Sequence, residues 1–137
     1  MNPHFLQGID TIVLRVSNIN EAKIWYSTKL GFKIIYEDEK IRLVVLDTFS
    51  PTSLTLWETD EKIASNPKTT SYPIFKTMDA ADARQALRQL DVKMNDLITD
   101  QFVTYFNFFD PDGNMLEACQ VHEYNQLRKD KIHTYNL

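Results

Sequence analysis

Hydrophobic and polar positions divide the chain into strand-length and helix-length runs. Residues 9–16, Ile-Asp-Thr-Ile-Val-Leu-Arg-Val, are rich in β-branched side chains and predict a strand. Alternation places Ile12, Leu14 and Val16 on one face and Thr11, Val13 and Arg15 on the other. Asn18, with Glu21 three positions on, has the form of a helix N-cap. Ala22, Trp25, Tyr26 and Leu30 then recur at helical spacing as far as Gly31, where glycine takes the left-handed conformation cheaply and stops the helix. Strands are predicted over 32–37, 41–47 and 53–58, separated by the charged turn Glu37–Lys40 and by a turn at Ser50–Pro51.

The polar run 59–69 reads as a linker, after which the same order returns. A strand is predicted over 71–76. Asp79 caps a helix with Asp82 near its positive end, and Ala80, Ala83, Leu87 and Leu90 form its apolar stripe. A sparsely patterned strand over 92–98 and a strongly patterned one over 102–109 follow. Asp110-Pro111-Asp112-Gly113 is a turn, and residues 115–121 close the set. Residues after His122 are polar and charged, and form a short helix or a loose tail.

Strand, helix and three strands, twice over, is an internal repeat. Its spacing agrees: Thr11 and Thr55 lie 44 positions apart, Tyr72 and Glu117 45. The fold class expected is α+β. Two tandem βαβββ modules (8–58 and 70–121) form one domain over 1–137, with mixed curved sheets around a cleft and a C-terminal tail, 122–137. Thr11, Val13, Arg15, Thr55, Trp57, Tyr72, Ile74, Lys76, Glu117 and Cys119 face that cleft if each strand holds its register. A one-residue slip would invert each set.

Composition narrows the function classes. Fifteen Lys and Arg against nineteen Asp and Glu give a net charge of −4, which excludes the basic stripe a nucleic-acid binder needs. No apolar run reaches membrane-spanning length, and the N-terminus lacks a signal core. Cys119 is the single cysteine, so internal disulfides and thiolate metal clusters are out. A soluble, cytoplasmic protein is expected, with neither nucleic acid nor membrane as partner.

Three pieces of the chain resemble the vicinal oxygen chelate superfamily, which includes glyoxalase I, extradiol dioxygenases, methylmalonyl-CoA epimerase, and the fosfomycin and bleomycin resistance proteins. They are residues 9–16, Trp25-Tyr26 with Leu30-Gly31-Phe32, and Phe109-Asp110-Pro111-Asp112-Gly113-Asn114-Met115-Leu116-Glu117. The resemblance covers residues 8–121 and implies a cleft and, often, a homodimer. In metal-dependent members four cleft positions hold a divalent ion through His and Glu. The matching positions here are Thr11, Thr55, Tyr72 and Glu117, and only Glu117 is a usual ligand type. Neutral hydroxyls do not offset the cost of dehydrating a divalent ion. The three histidines, His4, His122 and His133, fall on no predicted inward strand position. No metal and no other cofactor is therefore expected, with a divalent ion as the alternative.

Each remaining feature has two readings. Glu117 is a general base with a raised pKa, or a remnant hydrogen-bonded to Thr11 or Thr55. Trp57 and Tyr72 stack on a flat ligand or fill the cleft floor. Arg15 and Lys76 receive a carboxylate or phosphate, or are solvated strand ends. Cys119 reads as a packed thiol and His122 as a surface residue. Two functions follow. One is a small-molecule-binding protein of the bleomycin resistance type, with Thr11, Arg15, Thr55, Trp57, Tyr72 and Lys76 holding an organic ligand. The other is a lyase, isomerase or dioxygenase using Glu117, with or without a metal.

Overall fold

The computed structural model describes residues 5–64 and 66–122. The tail after His122, together with His4 and His133, lies outside the described residues. The described residues form two compact units, one of residues 5–64, 66 and 110–114, the other of 67–109 and 115–122.

The first unit contains β1 (Thr11–Val16), α1 (Ile19–Lys29), β2 (Lys33–Asp38), β3 (Leu43–Asp47) and β4 (Ser53–Glu58). The strands lie in the order β1-β4-β3-β2, with β1 and β4 parallel and the other pairs antiparallel. Helix α1 covers one face, where Leu14, Val16, Ala22, Tyr26, Val44, Leu46, Leu54 and Leu56 form the core. The expected alternation holds: Leu14 and Val16 are buried and Val13 and Arg15 exposed.

The second unit repeats this plan with β5 (Ile74–Lys76), α2 (Ala80–Gln89), β6 (Lys93–Met94), β7 (Ile98–Thr99), β8 (Val103–Phe109) and β9 (Met115–Val121). The order is β5-β9-β8-β6, with β5 and β9 parallel and β7 also paired to β8. Phe106, Phe108, Leu116 and Ala118 are buried in its core. The architecture is α+β, with two helices and two mixed sheets among the described residues, as the repeat predicted.

The repeat extends to the caps. Asn18 and Asp79 accept from the N–H groups of Glu21 and Asp82, each at 2.9 Å. The first helical N–H is then taken by the last part of the closing strand: Ile19 donates to Glu58, and Ala80 to Gln120, both at 2.9 Å. Those donors have no partner inside the helix, so a strand side chain supplies one. Just past the two helices the backbone turns left-handed, at Gly31 (φ +73°) and Asp91 (φ +59°).

Two elements differ from the sequence reading. The strand expected over 71–76 shortens to 74–76, which leaves Tyr72 outside it. Pro73 has no N–H for a ladder, and its carbonyl instead accepts from the Glu117 N–H at 3.2 Å. The strand expected over 92–98 splits into β6 and β7. Asn95, between them, donates its N–H to the Asn107 carbonyl and accepts Arg84 Nε at 3.0 Å. In α2 only Ala80 of the predicted stripe is buried.

The turn 110–114 clamps the first unit at three points. Asp110, 5% exposed, accepts from the Tyr26 hydroxyl at 2.8 Å on α1. Asp112 accepts from the Ser17 N–H at 3.0 Å ahead of α1, and Asn114 donates to the Arg15 carbonyl at 2.9 Å on β1. Asp110 also accepts from the N–H groups of Asp112 and Asn114 and from the Asn114 amide. Gly113 (φ +81°) gives the turn its left-handed position.

Candidate functional site

The face of each sheet opposite its own helix carries the residues predicted to face a ligand, except Tyr72, which lies ahead of β5. In the first unit, β1 and β4 bring Thr11 and Thr55 together. Their hydroxyls share a 2.7 Å hydrogen bond, and Thr55 is buried. Parallel pairing sets Val13 opposite Thr55, so Thr11 meets it on the diagonal of the same face.

Arg15 and Trp57 are direct partners in that register. The guanidinium lies 4.8 Å from the centre of the indole ring and donates to the carbonyls of Trp57 and Glu58 at 3.1 and 3.0 Å. The indole Nε1 donates to the Ile41 carbonyl at 3.0 Å. One ring face is thus taken by a cation and the edge is fixed. Val45 and Leu43 on β3 stand beside Thr55 and Trp57. A register shift in β2 leaves both Ile35 and Tyr36 exposed.

In the second unit Glu117 stands in the middle of β9, opposite Ile74 on β5 and Asn107 on β8. It is 7% exposed. Asn107 Nδ2 donates to Glu117 Oε1 at 3.1 Å. Burial pushes the carboxyl above its ordinary range, and the Asn107 bond pulls it only partly back. Lys76 is the partner of Cys119 in the β5–β9 register, two positions along from Glu117. Tyr72 is half-buried and precedes the strand. His122 is exposed, and its Nε2 shares a 2.7 Å bond with the Thr104 hydroxyl. A recess lined by Ile19, Lys23, Glu37 and Arg42 holds none of these residues; Lys23 and Glu37 pair at 2.8 Å beside it.

A sequence profile of the glyoxalase/bleomycin resistance protein/dioxygenase superfamily matches residues 8–118. The chain belongs to this superfamily. No curated protein matches it. Many solved structures share the superfamily member's fold, three of them as follows. The glyoxalase family protein from Enterococcus faecalis is 23% identical, with a TM-score of 0.72 over 85% of this chain and 99% of that one. An antibiotic-binding protein from a Streptomyces species is 20% identical, with a TM-score of 0.68 over 85% and 98%. The genomically encoded fosfomycin resistance protein of Listeria monocytogenes is 15% identical, with a TM-score of 0.74 over 90% and 100%.

In this member of the superfamily the side chains at the positions matched to metal ligands are already engaged within their own units. The two threonine hydroxyls satisfy each other, and the single carboxylate is held by a neutral amide. Among the described residues no group of three His, Cys, Asp or Glu side chains is placed to hold a metal. Among them, too, no helix is long and apolar enough to cross a membrane.

Asn107 was not foreseen. Its signal was legible: it is the lone amide in an aromatic strand, Tyr105-Phe106-Asn107-Phe108-Phe109, two positions from Phe109 on the face away from the core. The roles of Asp110, Asp112 and Asn114 as clamps were hidden, because a turn motif does not say what its side chains reach.

Proposed function

We propose that this superfamily member binds a small organic molecule without a metal, on the helix-free faces of its sheets, and acts by sequestering or carrying it. The observation that carries the reading is the Thr11–Thr55 hydrogen bond: a pair of hydroxyls closed on each other stands where metal-dependent relatives place ligands. Trp57, steadied by Arg15 and by the Ile41 carbonyl, offers a flat apolar surface whose position is already fixed, so little entropy is lost when a ring stacks on it. The Streptomyces neighbour is an antibiotic-binding protein, which supports an organic ligand.

The test is a thermal-shift screen of the purified chain against divalent ions and against a panel of aromatic antibiotics. A ligand that binds only the native state raises the melting temperature by mass action. The reading expects a saturable shift with at least one organic compound and none with Mn, Fe, Ni or Zn. A saturable ion shift with no organic shift overturns it.

A second reading rests on Glu117. A buried carboxyl with a raised pKa is the form a general base takes near neutral pH. It predicts turnover that Glu117→Gln abolishes; turnover unchanged in that variant removes it.

A further inference from the structure

The turn between β8 and β9 carries a covalent weak point. Of the three glycines in the chain, Gly113 alone follows an aspartate or asparagine, so Asp112–Gly113 is the single Asp-Gly or Asn-Gly step. We infer that this step is a site of spontaneous aspartate isomerisation, and that Ser17 holds the reaction in check.

The reaction needs no enzyme. The Gly113 nitrogen bonds to Cγ of the Asp112 carboxylic acid, and the carboxyl hydroxyl leaves as water with the amide proton. The product is a five-membered succinimide. Water reopens that ring at either carbonyl. Opening at the Asp112 main-chain carbonyl leaves the chain running through Cγ, as isoaspartate. One water leaves and one returns, and nothing is oxidised or reduced. Glycine has no Cβ to shield its nitrogen, which makes it the least hindered residue to follow an aspartate.

Both reacting groups are engaged elsewhere. Ser17 reaches both carboxylate oxygens of Asp112: its N–H donates to Oδ2 at 3.0 Å and its hydroxyl donates to Oδ1. The Gly113 N–H donates to the Asp110 carbonyl at 3.0 Å. Attack therefore requires the carboxyl to leave Ser17 and the nitrogen to leave Asp110. Asp112 is half-buried, and Ser17 and Gly113 are exposed, so water reaches the turn. The protection comes from the hydrogen bonds and not from burial.

The position gives the lesion its consequence. Isoaspartate adds one methylene to the main chain inside the turn. Asn114 follows at once, and its N–H and amide must reach Asp110 and the Arg15 carbonyl. The same turn sets the register of β8 with β9, which places Asn107 opposite Glu117. A lengthened turn loosens both the clamp on the first unit and the neighbour of Glu117.

The test incubates the purified full chain at neutral pH, well below its melting temperature, and then digests it. Isoaspartate at position 112 is quantified by electron-transfer fragmentation. The native chain is compared with Ser17→Ala, with Ser17→Thr, which keeps the hydroxyl, and with native chain unfolded in urea. The folded native chain should isomerise at least about tenfold more slowly than the unfolded one, and folded Ser17→Ala about tenfold faster than native, the factor that one hydrogen bond to a charged group makes in a rate. Ser17→Thr should stay close to native. Equal rates in the folded and unfolded native chain overturn the inference, and that comparison needs no variant. A folded Ser17→Ala chain that isomerises at the native rate overturns it as well.

Discussion

Replacing Tyr26 by Phe removes one oxygen atom from the centre of the first unit and leaves the ring in place. Tyr26 is 0% exposed, and its hydroxyl donates to Asp110 at 2.8 Å. Burial and the Asp110 carboxylate hold the phenol well above its usual range, so it stays a donor across the accessible pH scale. A hydrogen bond to a charged group contributes about 1.5–3 kcal/mol net. Asp110 keeps three further donors from Asp112 and Asn114, which places the loss in the lower half, about 2 kcal/mol. Unfolding entropy near 60 °C is about 2.1 cal/mol/K per residue, so for a chain of 137 residues the melting temperature should fall by about 7 °C. Urea unfolding should show a lower midpoint with an unchanged m-value. Tyr36→Phe, at a half-exposed ring on β2, is the control and should move stability by less than about 0.5 kcal/mol. A Tyr26→Phe loss no larger than that of the control would refute the clamp.

Three further outcomes follow from the sites. Asp110 aside, Glu117 is the buried carboxyl whose folded-state value burial raises, so the protonated form is the better fit; its relative stability is full below the ordinary value of 4.5 and is lost as pH rises through the raised one. Glu117→Gln should therefore be more stable than the native chain at neutral pH and match it below pH 4.5 in calorimetric scans; a gap that widens on acidification contradicts this. Thr11→Val and Thr55→Val should each cost about 1 kcal/mol, the double variant less than their sum, because the second change removes an orphaned hydroxyl; strict additivity in the cycle would deny the bond. Arg15→Met should alter Trp57 fluorescence at a stability loss of about 0.5–1 kcal/mol, the worth of an exposed cation–π contact; an unchanged spectrum would deny the stacking.

Most of the fold was legible because it rests on local signals. Asn18 and Asp79 announce two helix starts, and the strands 53–58 and 115–121 appear with the bounds their alternation predicts. The parity of Thr11, Arg15, Thr55, Trp57 and Glu117 came through as well, since each strand has one face packed on a helix and a slip would bury the wrong set. Tyr72 strayed from its strand because Pro73 ends the ladder, a cue the apolar pattern overrode. Glu117's partner was missed for a different reason. Register across the β8–β9 hairpin decides that Asn107 meets it, and that register is set by the turn at 110–114, which the alternation within either strand does not give. The same holds for Glu58 and Gln120, whose service as helix caps needs the closing strand to lie beside the helix start.

Manganese titration followed by electron paramagnetic resonance bears most directly on the claim that the ligand positions of this superfamily member no longer hold an ion. Free Mn²⁺ gives a six-line signal that collapses when the ion is bound by protein. With the purified chain in excess, the signal should keep its full amplitude. A stoichiometric loss of amplitude that Glu117→Gln restores would contradict the account.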